Sequence, residues 1–517
     1  MRGAGRCFRC LKREAIGQSL RLTDRINREG LSASLNYACI AQVYSISKGH
    51  LGGLGLDRFE TDYLIIGAGA SGLSFADTLL DETDAHITLV DRRDKAGGHW
   101  NDAYPFVRLH QPSSYYGVAS RDLGRGAIDT SGLNKGFEEL ASGLEVAAYF
   151  HAVMQDRLLQ SGRVRFLPMS EHLGDGEVRH LLSGKATQID VRHRLVNAGL
   201  LENGIPLTHE RRFRVADDVV CIPPNALPHM ARLHDQFTVL GAGKTAMDSV
   251  LWLLESGADA SQIRWVVPRD PWMINRVFSQ PSGAFYHESF GGTMRQMEAV
   301  MDATSVDDLA DRMEAANLWM RLDPSVRPVI MHGPTVSMAE LGRLREVRDI
   351  VRLGHVESIE PGAMNLVGGT CPARPKTLYI DCTARALGHT DTWPVFQEDQ
   401  IVLQMIRLYQ PTFSAALIAK IETSFDTIKE KNALAAPVPM TDTVQTWVVS
   451  QLVNATNQFA WSQHPDIKNW ITHCRLDGFG RASREVDRTD PTIKKIYDRI
   501  KEVSFPAFAN MQKLATA

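Results

Sequence analysis

The chain has 517 residues, with 57 Lys and Arg against 60 Asp and Glu and a formal net charge of −3. That length suffices for two or three domains with large cores, and the near-neutral balance gives no footing for nucleic acid or an anionic membrane as partner. No apolar stretch approaches the roughly 20 residues a membrane span needs, and the seven scattered cysteines suit a reducing compartment.

Residues 1–57 carry little information. The start is rich in arginine (Arg2, Arg6, Arg9, Arg13), but Glu14, Asp24 and Glu29 interrupt it. Only residues 1–13 fit the acid-poor pattern of a mitochondrial transit peptide. A flexible extension and a cytoplasmic location are expected, with the mitochondrion as the alternative. Cys7 and Cys10 form a lone C-x-x-C; without a second pair no metal site is expected.

The first informative segment is Tyr63-Leu-Ile-Ile-Gly-Ala-Gly-Ala-Ser-Gly72. Tyr63 to Ile66 is a short β-prone run. Gly67 permits a tight turn, Gly69 lets backbone approach a pyrophosphate, and Gly72 lets the next helix pack closely on the strand. Ala68, Ala70 and Ser71 complete the turn, whose helix N-terminus offers unpaired N–H groups to phosphates. A second strand, His86 to Val90, ends in Asp91 and Arg92, about twenty residues past Gly72, where a carboxylate accepts hydrogen bonds from ribose hydroxyls. The spacing predicts a dinucleotide site.

Gly97-Gly98-His99-Trp100 and Tyr104-Pro-Phe-Val-Arg108-Leu-His110-Gln111-Pro112 follow as a loop punctuated by Gly and Pro. Beside a cofactor site such a loop is a candidate ligand contact. Leu144 to Leu159 has helical periodicity. Arg163 to Leu167 reads as a strand, and segments around Gln188 to Arg192 and Arg212 to Cys221 suggest a β-meander.

Phe237-Thr-Val-Leu-Gly241-Ala-Gly243-Lys244-Thr245-Ala246 repeats the strand–turn–helix pattern, with Ala246 in the third glycine position. The next strand, Ile263 to Val267, ends in Pro268-Arg269-Asp270. An Arg there pairs with a 2′-phosphate, which favours NADP over NAD. The other reading makes Arg269 a solvated residue and Asp270 the ribose acid. Lys244 either faces a phosphate or points to water. Trp272, Met273 and Arg276 either shape a ring pocket or pack in the core.

Met294 to Leu322 looks helical and suits a cap or a packing insertion. Asp349 to Leu366 and Thr377 to Ile380 look like strands that deliver Asp381-Cys-Thr-Ala384, whose small residues let a chain run close to a cofactor. From Gln397 the chain reads mainly as helices. Two dinucleotide folds in one chain imply a flavin and a nicotinamide working together, FAD in the first and NADPH in the second. The redox-dithiol motifs of flavin disulfide reductases are missing. The expected class is α/β, with two Rossmann-like domains and a mainly helical C-terminal region. The expected boundaries are 1–57 for the extension, 58–232 and 371–400 for the FAD domain, 233–370 for the NAD(P) domain inserted in it, and 401–517 for the helical region.

This layout resembles the class B flavoprotein monooxygenases (flavin-containing monooxygenases, Baeyer–Villiger monooxygenases and N-hydroxylases) over roughly residues 60–390. The motifs that carry the resemblance are Gly67-x-Gly69-x-x-Gly72, Gly97-Gly98-x-Trp100, Tyr104-Pro105-x-x-Arg108, Gly241-x-Gly243-x-x-Ala246 and Asp381-Cys-Thr-Ala384. By resemblance, Trp100, Arg108, His110 and Gln111 lie near the flavin. The family's Phe-x-Gly-x-x-x-His fingerprint is absent: Cys221-Ile-Pro-Pro-Asn-Ala-Leu-Pro-His-Met230 stands before the second glycine motif. His110 also stands where Baeyer–Villiger enzymes carry an Asp. The chain therefore reads as a divergent relative.

The resemblance implies an NADPH-using monooxygenase that passes oxygen, through a flavin C4a-(hydro)peroxide, to a small organic substrate. Arg108 is then the candidate for stabilising charge and His110 for proton donation. The same residues leave open a flavin dehydrogenase or reductase without oxygen insertion, and a non-catalytic FAD-binding protein.

Overall fold

A computed structural model describes residues 57–201, 204–385 and 391–516. The expected extension, with Cys7 and Cys10, lies outside the described residues apart from Asp57.

β1 (Asp57–Ile66), α1 (Ala70–Glu82) and β2 (Ile87–Val90) form the first crossover. β1 and β2 are parallel, with Tyr63 opposite Ile87 and Ile66 opposite Val90, and β3 (Val164–Leu167) lies parallel beside β2. All of β2 is buried, as a strand covered on both faces must be. α2 (Gly143–Ala152) starts at a capping box between Ser142 and Glu145 and runs into a π turn, Val153–Leu158, within the helical span expected from Leu144 to Leu159.

β4 (Ser170–Gly174), β5 (Glu177–His180) and β6 (Ala186–Asn197) form an antiparallel meander. The sheet is seven-stranded, ordered β3-β2-β1-β6-β5-β4, with β19 (Gln400–Val402) parallel beside the end of β6. The expected membership of Arg212–Cys221 in this meander is corrected. β7 (Arg214–Val215) pairs with β15 (Val356–Glu360), and β8 (Cys221–Ile222) pairs with β18 (Thr377–Asp381). Alternating apolar residues report a half-buried strand, not the partner it finds.

After the single turn α3 (Leu227–Met230) comes the second crossover: β9 (Gln236–Leu240), α4 (Lys244–Glu255) and β10 (Ile263–Val266). With β14 (Asp349–Val351) these strands build a five-stranded sheet, ordered β14-β10-β9-β18-β8, in which every neighbouring pair is parallel. The chain thus leaves the first sheet at β6, builds the second and rejoins the first at β19. This is an α/β protein with one Rossmann-like unit inserted in another, as expected.

The helix expected over Met294–Leu322 is broken in two. α5 (Tyr286–Asp302) ends before Ala303, and Ser305 caps α6 (Val306–Ala315) by accepting a hydrogen bond from the Asp308 N–H. Trp319 and Met320 then form β12, which pairs with β11 (Met273–Asn275); β13 (Thr335–Val336) completes that small sheet. Ser is a favoured N-cap, but a continuous apolar period masks such breaks. α7 (Met338–Leu344) follows, and β16 (Ala363–Leu366) and β17 (Gly369–Pro372) extend from β15.

Past β19 the chain is helical: α8 (Pro411–Ser424), α9 (Ile428–Ala433), α10 (Val444–Ser462), α11 (Pro465–His473), α12 (Gly478–Glu485) and α13 (Pro491–Thr516). α8 lies along α1, with Ser74 Oγ donating to the Thr412 carbonyl at 2.9 Å and Lys420 paired with Glu82 at 2.6 Å. The two helices therefore point the same way and bring their N-termini together. α5, α6, α10 and α13 close round a core holding Trp272, Trp319 and Trp447, with ring centroids 5.7 and 5.0 Å apart. Each such aromatic pair adds about 0.5–1.5 kcal/mol beyond the burial of its area. No helix among the described residues is long and apolar enough to cross a membrane.

Candidate functional site

Both glycine turns open onto one cavity of about 2580 Å³, well beyond the ~300–1,000 Å³ of a site for one drug-sized ligand. Gly67 holds φ +106°, a conformation that favours glycine, and its N–H donates to the Val90 carbonyl at 2.8 Å. A Cβ on Gly72 would stand 2.0 Å from the Gly67 carbonyl oxygen, so α1 starts at this distance from β1 only because residue 72 has no side chain. A Cβ on Gly98 would reach 2.9 Å from the Gly69 Cα; two glycines back to back set the loop against the turn.

Asp91 closes the first cradle. Its carboxylate accepts from the Ala68 N–H at 2.7 Å and the Arg93 N–H at 2.8 Å, and is almost wholly buried. Gly69 is the N-cap of α1 and no side chain caps that end, leaving N–H groups for an anion. Gln410, at the N-cap of α8, also faces the cavity; it is 8 % exposed and its Oε1 has no partner among the described residues. A buried acceptor in that position suits a hydrogen-bond donor on a bound group. Together these features fit FAD.

The second cradle repeats the geometry. Gly241 holds φ +117°, and a Cβ there would meet the Cys382 carbonyl oxygen at 2.7 Å, so the end of β18 runs against the turn. A Cβ on Gly243 would meet nothing within 4 Å: the space above it belongs to the cavity. Lys244 does not point to water. Its ammonium is paired with Asp248 one turn along α4, and the Tyr104 hydroxyl donates to the same carboxylate at 2.7 Å.

Asp270 is not a ribose acid. Arg352 holds it from Nε and Nη2 at 2.9 and 3.0 Å, and it is buried. Arg269 lines the cavity instead, 3.9 Å from Asp442. Arg212, Arg385 and His355 line the same region. Burial first, and then the charges of Arg269, Arg385 and Arg212, hold the His355 imidazole below its ordinary range. Three guanidinium ions within electrostatic reach of one imidazole on the cavity wall suit a phosphate dianion, and the second cradle fits NADPH. Sequence reasoning found Arg269 but missed Arg212 and Arg385, which reach the site from outside the strand–turn–helix unit.

Of the residues proposed from the two glycine motifs, Asp91-Arg92, the loop over 98–111 and Arg269, all line the cavity except Ala68, Gly72 and Ala246, which lie buried beneath the turns. Ala70, Ser71, Arg92, Gln111 and Thr245 are on its wall. Trp100 donates from Nε1 to the Tyr116 hydroxyl at 2.9 Å. Arg108 gives one hydrogen bond, Nη1 to the Leu140 carbonyl at 2.9 Å. Burial, with Lys244 and Arg276 nearby, lowers the His110 imidazole to about 3, so it is uncharged at neutral pH. A ring pocket of Trp272, Met273 and Arg276 is excluded: all three are fully buried in the packing and none lines the cavity. Arg276 is paired with Glu340 at 2.7 Å and donates to the His110 carbonyl at 3.1 Å.

The fold and the two cradles define a two-unit dinucleotide-binding α/β protein. The NAD(P)-binding Rossmann-like domain model matches residues 65–115. The uncharacterized protein Rv2000 of Mycobacterium tuberculosis is 46% identical over 421 residues, 81% of this chain and 78% of that protein. The uncharacterized protein Mb2023 of Mycobacterium bovis matches with the same figures, 46% over 421 residues, 81% and 78%. The chain belongs to the family of these mycobacterial proteins. Among solved structures, a cyclohexanone-bound cyclohexanone monooxygenase is 12% identical with a TM-score of 0.45, covering 71% of this chain and 86% of that one. A flavin monooxygenase from Stenotrophomonas maltophilia is 13% identical with a TM-score of 0.42, covering 72% and 100%. A bacillithiol disulfide reductase from Bacillus cereus is 13% identical with a TM-score of 0.42, covering 71% and 99%.

Proposed function

We propose that this protein is an FAD- and NADPH-using oxidoreductase, and specifically a monooxygenase acting on a small organic substrate. The observation that carries the reading is that both glycine cradles open onto one cavity, with the arginine group beside the second. Bound together, the cofactors supply hydride transfer from nicotinamide to flavin and an electron source for oxygen.

The chain's own residues bind and orient. The N–H groups at the start of α1 and α4 hold pyrophosphates. Arg269, Arg212 and Arg385 hold the 2′-phosphate and so favour NADPH over NADH. The Lys244–Asp248–Tyr104 contacts join the second turn to the loop that carries Arg108 and His110. Arg108, with one hydrogen bond to a carbonyl, has donors left for negative charge developing in the cavity. His110, uncharged, serves as a hydrogen-bonding group at its ring nitrogens and not as an imidazolium acid.

A disulfide-reductase role has little support. The cysteines among the described residues are Cys221, Cys371, Cys382 and Cys474, and none lies in a C-x-x-x-x-C after the first glycine turn or a C-x-x-C after the second.

The test is to mix purified protein with NADPH without oxygen, then admit oxygen, following flavin absorbance and product. Bleaching, then oxygen uptake matched by an oxygenated product, is the expected result. Bleaching with reoxidation that yields only hydrogen peroxide across a substrate panel favours the reductase reading, and no bleaching overturns the assignment.

A further inference from the structure

The loop over 100–111 carries Trp100, Arg108, His110 and Gln111, yet segments beyond β6 hold it in place. Asn225 donates from Nδ2 to the Asp102 carbonyl at 3.0 Å. Phe106 stacks on Trp252 of α4, ring centroids 5.4 Å apart. Arg276 donates to the His110 carbonyl at 3.1 Å. Between these contacts the Tyr104 hydroxyl donates to Asp248 of α4 at 2.7 Å. Burial, and then the charge of Asp248, hold the Tyr104 phenol well above its ordinary range, so it stays a donor.

Asp248 lies behind the cavity wall, while Lys244 and Tyr104 are both on it. Lys244 is the first residue of α4, after the N-cap Gly243. A cation there opposes the positive end of the helix dipole, and only 9 % of its side chain is exposed. Drawing an ammonium out of water in such a place is costly, and pairing with Asp248 offsets part of the cost. A phosphate at the turn offsets more, because it meets both the ammonium and the free N–H groups of α4. Open space adjoins the turn, since a Cβ on Gly243 would meet nothing within 4 Å. As Lys244 turns from Asp248 to a phosphate, the carboxylate keeps the Tyr104 hydroxyl, and that charge-assisted bond strengthens.

We infer that Lys244, Asp248 and Tyr104 relay the occupancy of the second turn to the loop at the first, so that a nicotinamide dinucleotide in the one tightens the hold on flavin in the other. The relay rests on the reading that the cradles take FAD and NADPH, and it is the means by which one site informs the other. Tyr104 acts in it as a positioning residue, through the loop that bears Trp100, Arg108, His110 and Gln111. Such coupling is reciprocal: flavin tightens nucleotide binding by the same factor.

The test measures FAD release from the full-length holoprotein by flavin fluorescence, with and without NADP+, the oxidised nucleotide that cannot reduce the flavin. Saturating NADP+ is expected to raise FAD affinity by about fivefold or more. Tyr104→Phe is expected to hold FAD alone as the parent does and to lose that response. A side chain that only packs would lower FAD affinity equally with and without NADP+. Lys244→Met is expected to weaken NADP+ and to lose the response as well, and it decides the matter where Tyr104→Phe does not fold. A parent that binds NADP+ with unchanged FAD affinity, or a parental response in either variant, overturns the relay alone. Purified protein without FAD, or without NADP+ binding by tryptophan quenching, sinks the cofactor reading and the relay with it.

Discussion

Asp270 and Arg352 form a two-pronged ion pair, 2.9 and 3.0 Å from nitrogen to oxygen, that ties the acid after β10 into the protein and leaves its neighbour Arg269 facing the cavity. This favours the reading of Arg269-Asp270 in which the arginine, not the acid, faces the nucleotide. Asp270 is buried and lies off the cavity lining, so it does not reach a ribose, whereas Arg269 is on that lining. Arg269→Ala is therefore expected to raise the NADPH KM by about tenfold or more and to change the NADH KM little, since a hydrogen bond to a charged group contributes about 1.5–3 kcal/mol. Steady-state kinetics with both nucleotides checks this; equal effects would remove the 2′-phosphate role.

Two glycines at different depths in the cradles carry opposite expectations. A methyl group at Gly72 would overlap the Gly67 carbonyl, 2.0 Å away, so Gly72→Ala is expected to force α1 off the strand and to destabilise by about 1–3 kcal/mol or more. Gly243 has φ −79° and open space around its missing Cβ. Gly243→Ala is expected to melt within a few degrees of the parent and to bind NADPH more weakly, with flavin content unchanged. Thermal melts and nucleotide titrations on the two variants separate the roles. A Gly243→Ala protein with parental NADPH affinity would show that the cradle is not where the pyrophosphate sits.

Much of this was legible in the sequence because it is local. Gly67-x-Gly69-x-x-Gly72 and Gly241-x-Gly243-x-x-Ala246 specify strand, turn and helix within short windows, and the structure forms both turns. Asp91 was legible for the same reason. What stayed hidden depends on distant pairing. Arg385 and Arg212 come to the site from segments far from β10. Asp270 looked like a ribose acid because its partner, Arg352, is 82 residues away. The uncharged sequence of α10 is plain in Val444–Ser462, but only its packing against α6, α13 and Trp319 makes it part of the cavity wall. Trp272 and Arg276 fell to packing because distant segments hold them, Trp319 against the one and Glu340 of α7 against the other, and only Ile274 of β11 reaches the cavity.

Arg276 tests that packing directly. Its side chain is fully buried, paired with Glu340 at 2.7 Å, and donates to the carbonyls of His110 and Thr335. Arg276→Met leaves Glu340 buried without its cation, and breaking such a pair costs about 3–5 kcal/mol. The joint change Arg276→Met with Glu340→Gln is expected to recover part of that loss. Chemical denaturation of both proteins checks it. A single variant as stable as the parent would show that the pair is not what holds the loop at His110.

Acid should weaken the fold through two histidines of the loop. Burial, with Lys244 and Arg276 nearby, lowers His110 to about 3. Burial, with Arg93 nearby and against the pull of Asp102, lowers His99 to about 4. An unfolded histidine titrates near 6.5. Between those values the unfolded chain holds protons that the folded chain refuses, so unfolding takes up protons as the solution is acidified. The stability these rings contribute is complete above about pH 6.5 and is lost as pH falls towards the folded values, at up to about 1.4 kcal/mol per pH unit for each ring. Between about pH 7 and about pH 5 the parent is expected to lose about 1–2 kcal/mol per histidine more than a His99→Gln, His110→Gln variant. Urea denaturation of flavin-free protein at the two pH values measures the difference. Equal losses in the two proteins would mean that the rings are protonated in the folded state, which would return His110 to the role of proton donor.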